Sequence, residues 1–261
     1  MKAICSFFIC SLLLASGASA ELLSQSYAVE KVREIHASHA SKLEIRQGDS
    51  EILKVEGSAE ALEHVRVNLE NGVLRLENRQ PAKGFWGWVG LNTTSDESVT
   101  FYIQVKDLEK LNLSGASNAS LGAFTGRNLD LHLNGASHAK LGQLRLEQLE
   151  LDLSGASRLT LESLQTRQVK GQISGASQFE VKASSQSPRL NVNLSGASKF
   201  HGRPLSVEKA KVEASGASYA EVQVSEQLDA NASGASTIDY YGQPRIQQHS
   251  SGASSINHKG D

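Results

Sequence analysis

The sequence has few cysteine, methionine and aromatic residues. Both of its cysteines, Cys5 and Cys10, lie in the first twenty of 261 residues, it has one methionine, and aromatic residues make up 5%. Without later cysteines the chain has no disulfide bonds, so its core and its backbone hydrogen bonds must hold it together, alone or with assembly. Large globular α/β enzymes usually contain more aromatic residues and methionine. Leu, Val, Ala and Ile fill the apolar positions instead, which indicates a thin, layered core.

Strong charge of one sign and long apolar runs are also absent. The formal net charge is -2 and there is no long basic run, so the composition implies neither nucleic acid nor an anionic membrane surface as a partner. No stretch approaches the length of a transmembrane helix. The first twenty residues instead have the features of an export signal, with Lys2, an apolar stretch over 4–15 and a cleavage sequence over 18–20. We therefore expect an exported mature chain that begins at Glu21.

A short unit, Ser-Gly-Ala-Ser with Asn134 replacing the first Ser once, occurs eight times. The intervals between its glycines are 20, 20, 20, 21, 20, 18 and 18 residues. We expect these glycines to form the structural corner of each repeat: Gly115, Gly135, Gly155, Gly175, Gly196, Gly216, Gly234 and Gly252.

The residues on both sides of each unit alternate between apolar and polar, as in Leu111-Asn112-Leu113 and Asn118-Ala119-Ser120-Leu121. This pattern predicts two short strands joined by a bend. A repeat of 20 residues cannot bury its apolar face alone and must stack on its copies. The pattern therefore predicts an all-β parallel β-helix of about eight regular coils over residues 111–261.

Residues 21–110 are predicted to be irregular β coils that cap this rod. The segment Ile35–Leu43 can be aligned with Leu113–Leu121 as a degenerate coil, residues 59–64 suggest a short helical turn, and residues 81–97 are predicted to be an irregular loop.

These features resemble a known family. An export signal, the segment Leu43-Glu44-Ile45-Arg46-Gln47-Gly48-Asp49 and the repeated Leu-x-Leu-Ser-Gly-Ala-Ser coils are similar to the "Putative auto-transporter adhesin, head GIN domain" family, from about Val32 to Lys259. The resemblance implies a right-handed parallel β-helix in the envelope of a Gram-negative bacterium, in the periplasm, associated with the outer membrane or secreted. It supplies no catalytic residues.

The residues three before each Gly, from Asn112 and His132 to His249, are all polar, and so are those three after it. Such ladders are typical of a solvated face; a groove that presents hydrogen-bonding groups to a glycan or protein is the alternative. His132 and Asp152 are neighbours, but no third ligand has suitable spacing, so we predict no metal site and no cofactor. The scattered Asp residues and the missing Gly-x-Ser-x-Gly motif predict a non-enzyme.

The segment Gly84–Gly90 contains both tryptophans of the chain. Phe85, Trp86 and Trp88 are the candidate ligand-binding residues, with a cap over the rod as the alternative role. The sequence therefore predicts a non-catalytic, adhesin-like binding protein whose partner is an envelope glycan, a protein or a second copy of the chain. A structural scaffold and a carbohydrate-active enzyme are the alternatives.

Overall fold

The computed structural model describes residues 22–79 and 99–260. Within these ranges the chain forms 22 strands and one short helix. In chain order the elements are β1 (Leu23–Tyr27), β2 (Glu34–Ser38), β3 (Lys42–Gln47), β4 (Ile52–Gly57), α1 (Ala59–Glu63), β5 (Val65–Glu70), β6 (Val73–Asn78), β7 (Thr100–Val105), β8 (Lys110–Leu113), β9 (Asn118–Leu121), β10 (Phe124–Thr125), β11 (Asn128–Leu133), β12 (His138–Arg145), β13 (Gln148–Leu153), β14 (Arg158–Gln165), β15 (Gln168–Ile173), β16 (Gln178–Val181), β17 (Ser185–Leu194), β18 (Lys199–Ala214), β19 (Tyr219–Ala232), β20 (Thr237–Tyr241), β21 (Arg245–Ser250) and β22 (Ser255–His258).

Equivalent strands of successive repeats pair in parallel. On the pre-corner face, before each Gly, Leu131 pairs with Leu151, and on the post-corner face His138 pairs with Arg158. Each residue pairs with the residue one repeat later in the chain, so each repeat forms one coil. The coils together form a β-solenoid of about seven turns. The predicted parallel β-helix is confirmed.

The core consists of apolar side chains stacked in columns along the rod. Leu111, Leu131 and Leu151 form one such column, and each is at most 1% exposed. Farther along the rod the rings of Phe179 and Phe200 stack with centroids 5.0 Å apart. Because one coil covers the next, each layer completes the burial that a single repeat cannot achieve.

The first coils do not stack in chain order. Strand β2 pairs in parallel with β6 on one side and with β8 on the other, and β3 lies in the same way between β7 and β9. The coil made of β6 and β7 is therefore outside the coil made of β2 and β3, although it comes later in the chain. Antiparallel strands β4 and β5 pair with β7 and β6 on the outer side of this coil.

The predicted helical turn and degenerate coil are both present, but the register of the coil differs from the sequence alignment. Ile35 pairs with Leu111 and not with Leu113. The coil has the hydrogen bond of the regular corners instead: the buried Ser41 hydroxyl donates to the Ser38 carbonyl at 2.7 Å, as the second serine of a corner does. This places His39 at the corner glycine position, where it has a positive φ of +61°.

The Ser-Gly-Ala-Ser corners hold the coils together through their backbone. All eight glycines have φ between +72° and +77°, a region that side chains other than glycine's disfavour. Each Gly carbonyl from Gly115 to Gly234 accepts a hydrogen bond of 2.7–2.8 Å from the Ala N–H of the next corner. A Cβ atom on any glycine from Gly135 to Gly252 would lie only 2.4–2.8 Å from the preceding Gly oxygen.

The second serine of each corner points into the rod. Seven of these serines are at most 2% exposed: Ser117, Ser137, Ser157, Ser177, Ser198, Ser218 and Ser236. Most donate their hydroxyl to the carbonyl three residues earlier, as Ser218 does to Ser215 at 2.7 Å. The hydroxyl thus satisfies a carbonyl inside the bend, which makes a buried polar residue acceptable there.

We predict that Gly175→Ala lowers the free energy of unfolding by about 3 kcal/mol or more, because left-handed strain and overpacking both act there. The added Cβ would lie 2.4 Å from the Gly155 oxygen. Urea denaturation followed by circular dichroism measures the change.

The matched control is Gly122→Ala, where φ is ordinary and the nearest contacting atom is the Ile45 oxygen at 3.9 Å. We expect this variant to change stability by less than about 0.5 kcal/mol. Equal, small effects of the two substitutions would contradict a packing requirement at the corner.

Candidate functional site: a polar groove beside the corner

A groove of about 400 Å³ runs along the pre-corner face beside the corners. It crosses the ends of β13, β15, β17, β18, β19 and β21, a length of about 24 Å at the usual strand spacing. The polar ladder three residues before each Gly forms one wall, and the first corner serines form the other. The lining ladder residues are Asp152, Gln172, Asn193, Glu213, Asn231 and His249.

The groove presents uncommitted polar side chains. Gln172, Asn193 and His249 are exposed, and none makes a side-chain hydrogen bond or ion pair with another described residue. Glu213 instead pairs with Lys211 at 2.8 Å, which raises the pKa of Lys211 through that hydrogen bond and the carboxylate charge. Asp152 pairs with His132 at 3.6 Å. Free amides therefore lie between charges that are already partnered.

The polar ladder three residues after each Gly does not line the groove. Its members lie on the post-corner face and are exposed or half-buried, as expected of a solvated surface. His138, in this ladder, bonds to the Ala136 carbonyl at 3.1 Å and lies across the corner from His132. Among residues 22–79 and 99–260, no three His, Cys, Asp or Glu side chains are grouped as metal ligands.

The aromatic residues proposed from the sequence, Phe85, Trp86 and Trp88, lie outside the described residues. Their segment connects β6 to β7. The role of these three residues stays a prediction.

Sequence reasoning missed a polar network on the post-corner face near the last coils. Glu221 pairs in register with Asp239, so two carboxylates are neighbours in adjacent coils. The Tyr219 hydroxyl lies 2.9 Å from Glu221 and 3.1 Å from Asp239. His201 bonds to Glu221 at 3.0 Å. Comparing the Asp positions alone hid this pair, because one member is a Glu.

The network links adjacent coils, and both of its carboxylates already have hydrogen-bond or ion-pair partners within the protein. Asp239 is 7% exposed, accepts from Asn257 at 2.9 Å and has the Lys259 ammonium at 3.5 Å. Burial, followed by the hydrogen bond and charge of Glu221, raises the pKa of Tyr219 well above its ordinary value of 10.0. Because internal partners take up both carboxylates, their geometry favours a structural role over acid and base catalysis.

The comparisons with known proteins agree with this architecture. The family profile described as "Putative auto-transporter adhesin, head GIN domain" matches residues 32–244. The chain belongs to this family. No curated protein matches the chain. Membership of an adhesin-like family indicates an extracellular or envelope protein. No helix among the described residues is long and apolar enough to cross a membrane.

Solved structures similar to this head GIN family member share its fold. A putative adhesin from Parabacteroides distasonis is 18% identical, with a TM-score of 0.76, over 92% of this chain and 97% of that one. A putative adhesin from Parabacteroides merdae is 15% identical, with a TM-score of 0.74, over 91% and 96%. A putative lipid binding protein from Parabacteroides distasonis is 18% identical, with a TM-score of 0.72, over 91% and 96%.

We predict that ionisation of Tyr219 lowers the free energy of unfolding at alkaline pH. Because its pKa is higher in the folded protein, the stabilisation is complete below about pH 10 and is lost as the pH rises above that value. Tyr219→Phe should cost about 1 kcal/mol at pH 7, after allowance for solvent screening, and should lose less stability than the wild type between about pH 10 and pH 12. Urea denaturation at each pH gives both values.

Tyr241→Phe is the control, since the Tyr241 ring lies under Arg203 at 4.2 Å and its hydroxyl has no partner among the described residues. Its stability should follow the wild-type pH profile. If Tyr219→Phe shows the same alkaline loss as the wild type, the hydrogen bonds to the carboxylates do not hold the phenol neutral.

Proposed function

We propose that this protein is an exported, non-catalytic, adhesin-like binding protein of the cell envelope. Residues 1–20 direct export and are removed before Glu21. The groove beside the corners is the binding surface, and its ligand is an extended envelope glycan or protein chain that lies along the rod.

The unpartnered amides of Gln172 and Asn193 in the groove are the observation that carries this proposal. They stand in successive coils and therefore repeat at about one strand spacing, 4.8 Å. A polymer with a similar repeat can make the same hydrogen bond at both of these coils, so that individually weak contacts add up.

A rigid support is a second feature that favours binding. The ladder residues stand on strands whose alternate side chains are fully buried, such as Ile173 and Leu194, which are at most 2% exposed. The backbone from which the amides project is therefore fixed before a ligand arrives, so that binding has to order only the side chains themselves.

The decisive experiment is a double substitution in the groove. Gln172→Ala with Asn193→Ala should lower retention of the purified mature protein on isolated cell envelopes by about tenfold or more, while stability changes by less than about 1 kcal/mol. A glycan array and a crosslinking pull-down then identify the ligand class.

The control replaces Gln178 and Lys199 by Ala in the same two coils, on the post-corner side of the corner. This variant should bind envelopes as the wild type does. Equal retention of all three proteins would rule out the groove as the binding surface, and an absence of wild-type retention would favour a scaffold without a ligand.

A further inference from the structure

A second depression, of about 730 Å³, lies on the outer face of the post-corner sheet at the N-terminal end. It crosses strands β9, β3, β7 and β4, far along the chain from the groove. We call it the Tyr102 basin and define it by the outward-facing residues Glu44, Arg46, Ile52, Lys54, Tyr102 and Gln104.

The basin owes its depth to small residues on one side. Ser120 and Gly122, in the neighbouring coil, line this side of the basin. Ser120 pairs with Glu44, and Glu44 pairs on its other side with Tyr102. Long side chains on β3, β7 and β4 rise around this low edge. A flat strand face thus becomes a shallow cup that is open to solvent.

Two side chains that line the cup expose large apolar groups to solvent. Tyr102 is 40% exposed and Ile52 is 42% exposed, although both lie in paired strands. Elsewhere on the described strands the large apolar side chains are mostly buried in the core. An exposed aromatic ring within a polar basin is typical of a ligand platform, because it offers apolar area at little cost in conformational entropy.

The polar residues around the ring are partnered with one exception. Lys54 pairs with Glu56 at 2.5 Å, and Lys42 lies 3.9 Å from Glu44. The Gln104 amide donates to the Ser50 carbonyl at 2.9 Å and to its hydroxyl at 2.7 Å. Arg46 is exposed and has no hydrogen bond or ion pair with any other described residue.

Arg46 is a diagonal neighbour of Tyr102, since Glu44 pairs with Tyr102 and Arg46 with Gln104. The basin therefore combines one aromatic ring, whose hydroxyl interacts with Glu56, with a guanidinium group that has no ion-pair partner among the described residues. The C–H face of a pyranose ring packs on such an aromatic face. A guanidinium group binds a carboxylate through two parallel hydrogen bonds.

We propose that the Tyr102 basin binds an acidic saccharide, with a sugar ring stacked on Tyr102 and its carboxylate held by Arg46. A protein partner fits less well, because only two large apolar side chains are exposed in the basin and its charges other than Arg46 are already paired. This site is separate from the groove and does not depend on the function proposed for it.

The test is isothermal titration calorimetry of the mature protein with uronate oligosaccharides, namely those of polygalacturonate, alginate and hyaluronan. The wild type should bind at least one of them, and its carboxyl-reduced counterpart about tenfold more weakly. Tyr102→Ala and Arg46→Gln should each weaken binding by about tenfold. Tyr102→Phe should retain most of the affinity, since it preserves the ring.

The groove variant with Gln172→Ala and Asn193→Ala is the control, and it should bind the acidic oligosaccharide as the wild type does. Denaturation curves verify that each basin variant is folded, as expected for exposed positions. The proposal is overturned if no acidic oligosaccharide binds, if binding is unchanged in the Tyr102→Ala and Arg46→Gln variants, or if a poly-glutamate peptide binds in their place.

Discussion

The contact between successive corner glycines is the constraint on which the rest of the solenoid depends. The Ala N–H of one corner reaches the Gly carbonyl of the previous corner at 2.7–2.8 Å, a distance that leaves no room for a side chain at the glycine. The coils are thus hydrogen-bonded through the bend as well as through the strands. Because the positive φ favours glycine and the close approach of the preceding corner leaves no room for a Cβ atom, glycine stands at all eight regular corners.

A fixed corner divides the surface into two regular faces. Polar residues on either side of the bend recur at each coil, so a ladder of side chains arises from the repeat alone. Within the groove some outward residues lack internal partners, as Gln172 and Asn193 do, whereas Glu221 and Asp239 on the post-corner face are tied to each other through Tyr219. The same geometry therefore supports both stabilising networks and candidate binding surfaces, and the identity of a few outward residues decides between them.

The fold is predictable from the sequence because its determinants are local: a repeated corner and a period of two. The coil order is not, since placing β2 between β6 and β8 depends on pairings distant in the chain. The sequence indicated a groove as an alternative because the polar ladders can be aligned from one repeat to the next. The Tyr102 basin could not be predicted in this way, because its strands do not belong to a common repeat. Of the candidate residues, the aromatic ones at 85–88 remain predictions, because they lie outside the described ranges.

Native-state hydrogen exchange of the corner alanines tests the central claim most directly. The side chains of Ala176 and Ala197 are exposed, yet their N–H groups each bond to a glycine oxygen of the preceding corner at 2.7 Å. Measured by NMR, these amides should exchange as slowly as the buried strand amide of Val192, because both open only when coils separate. Exchange at the rate of an exposed loop would contradict a solenoid held together through its corners.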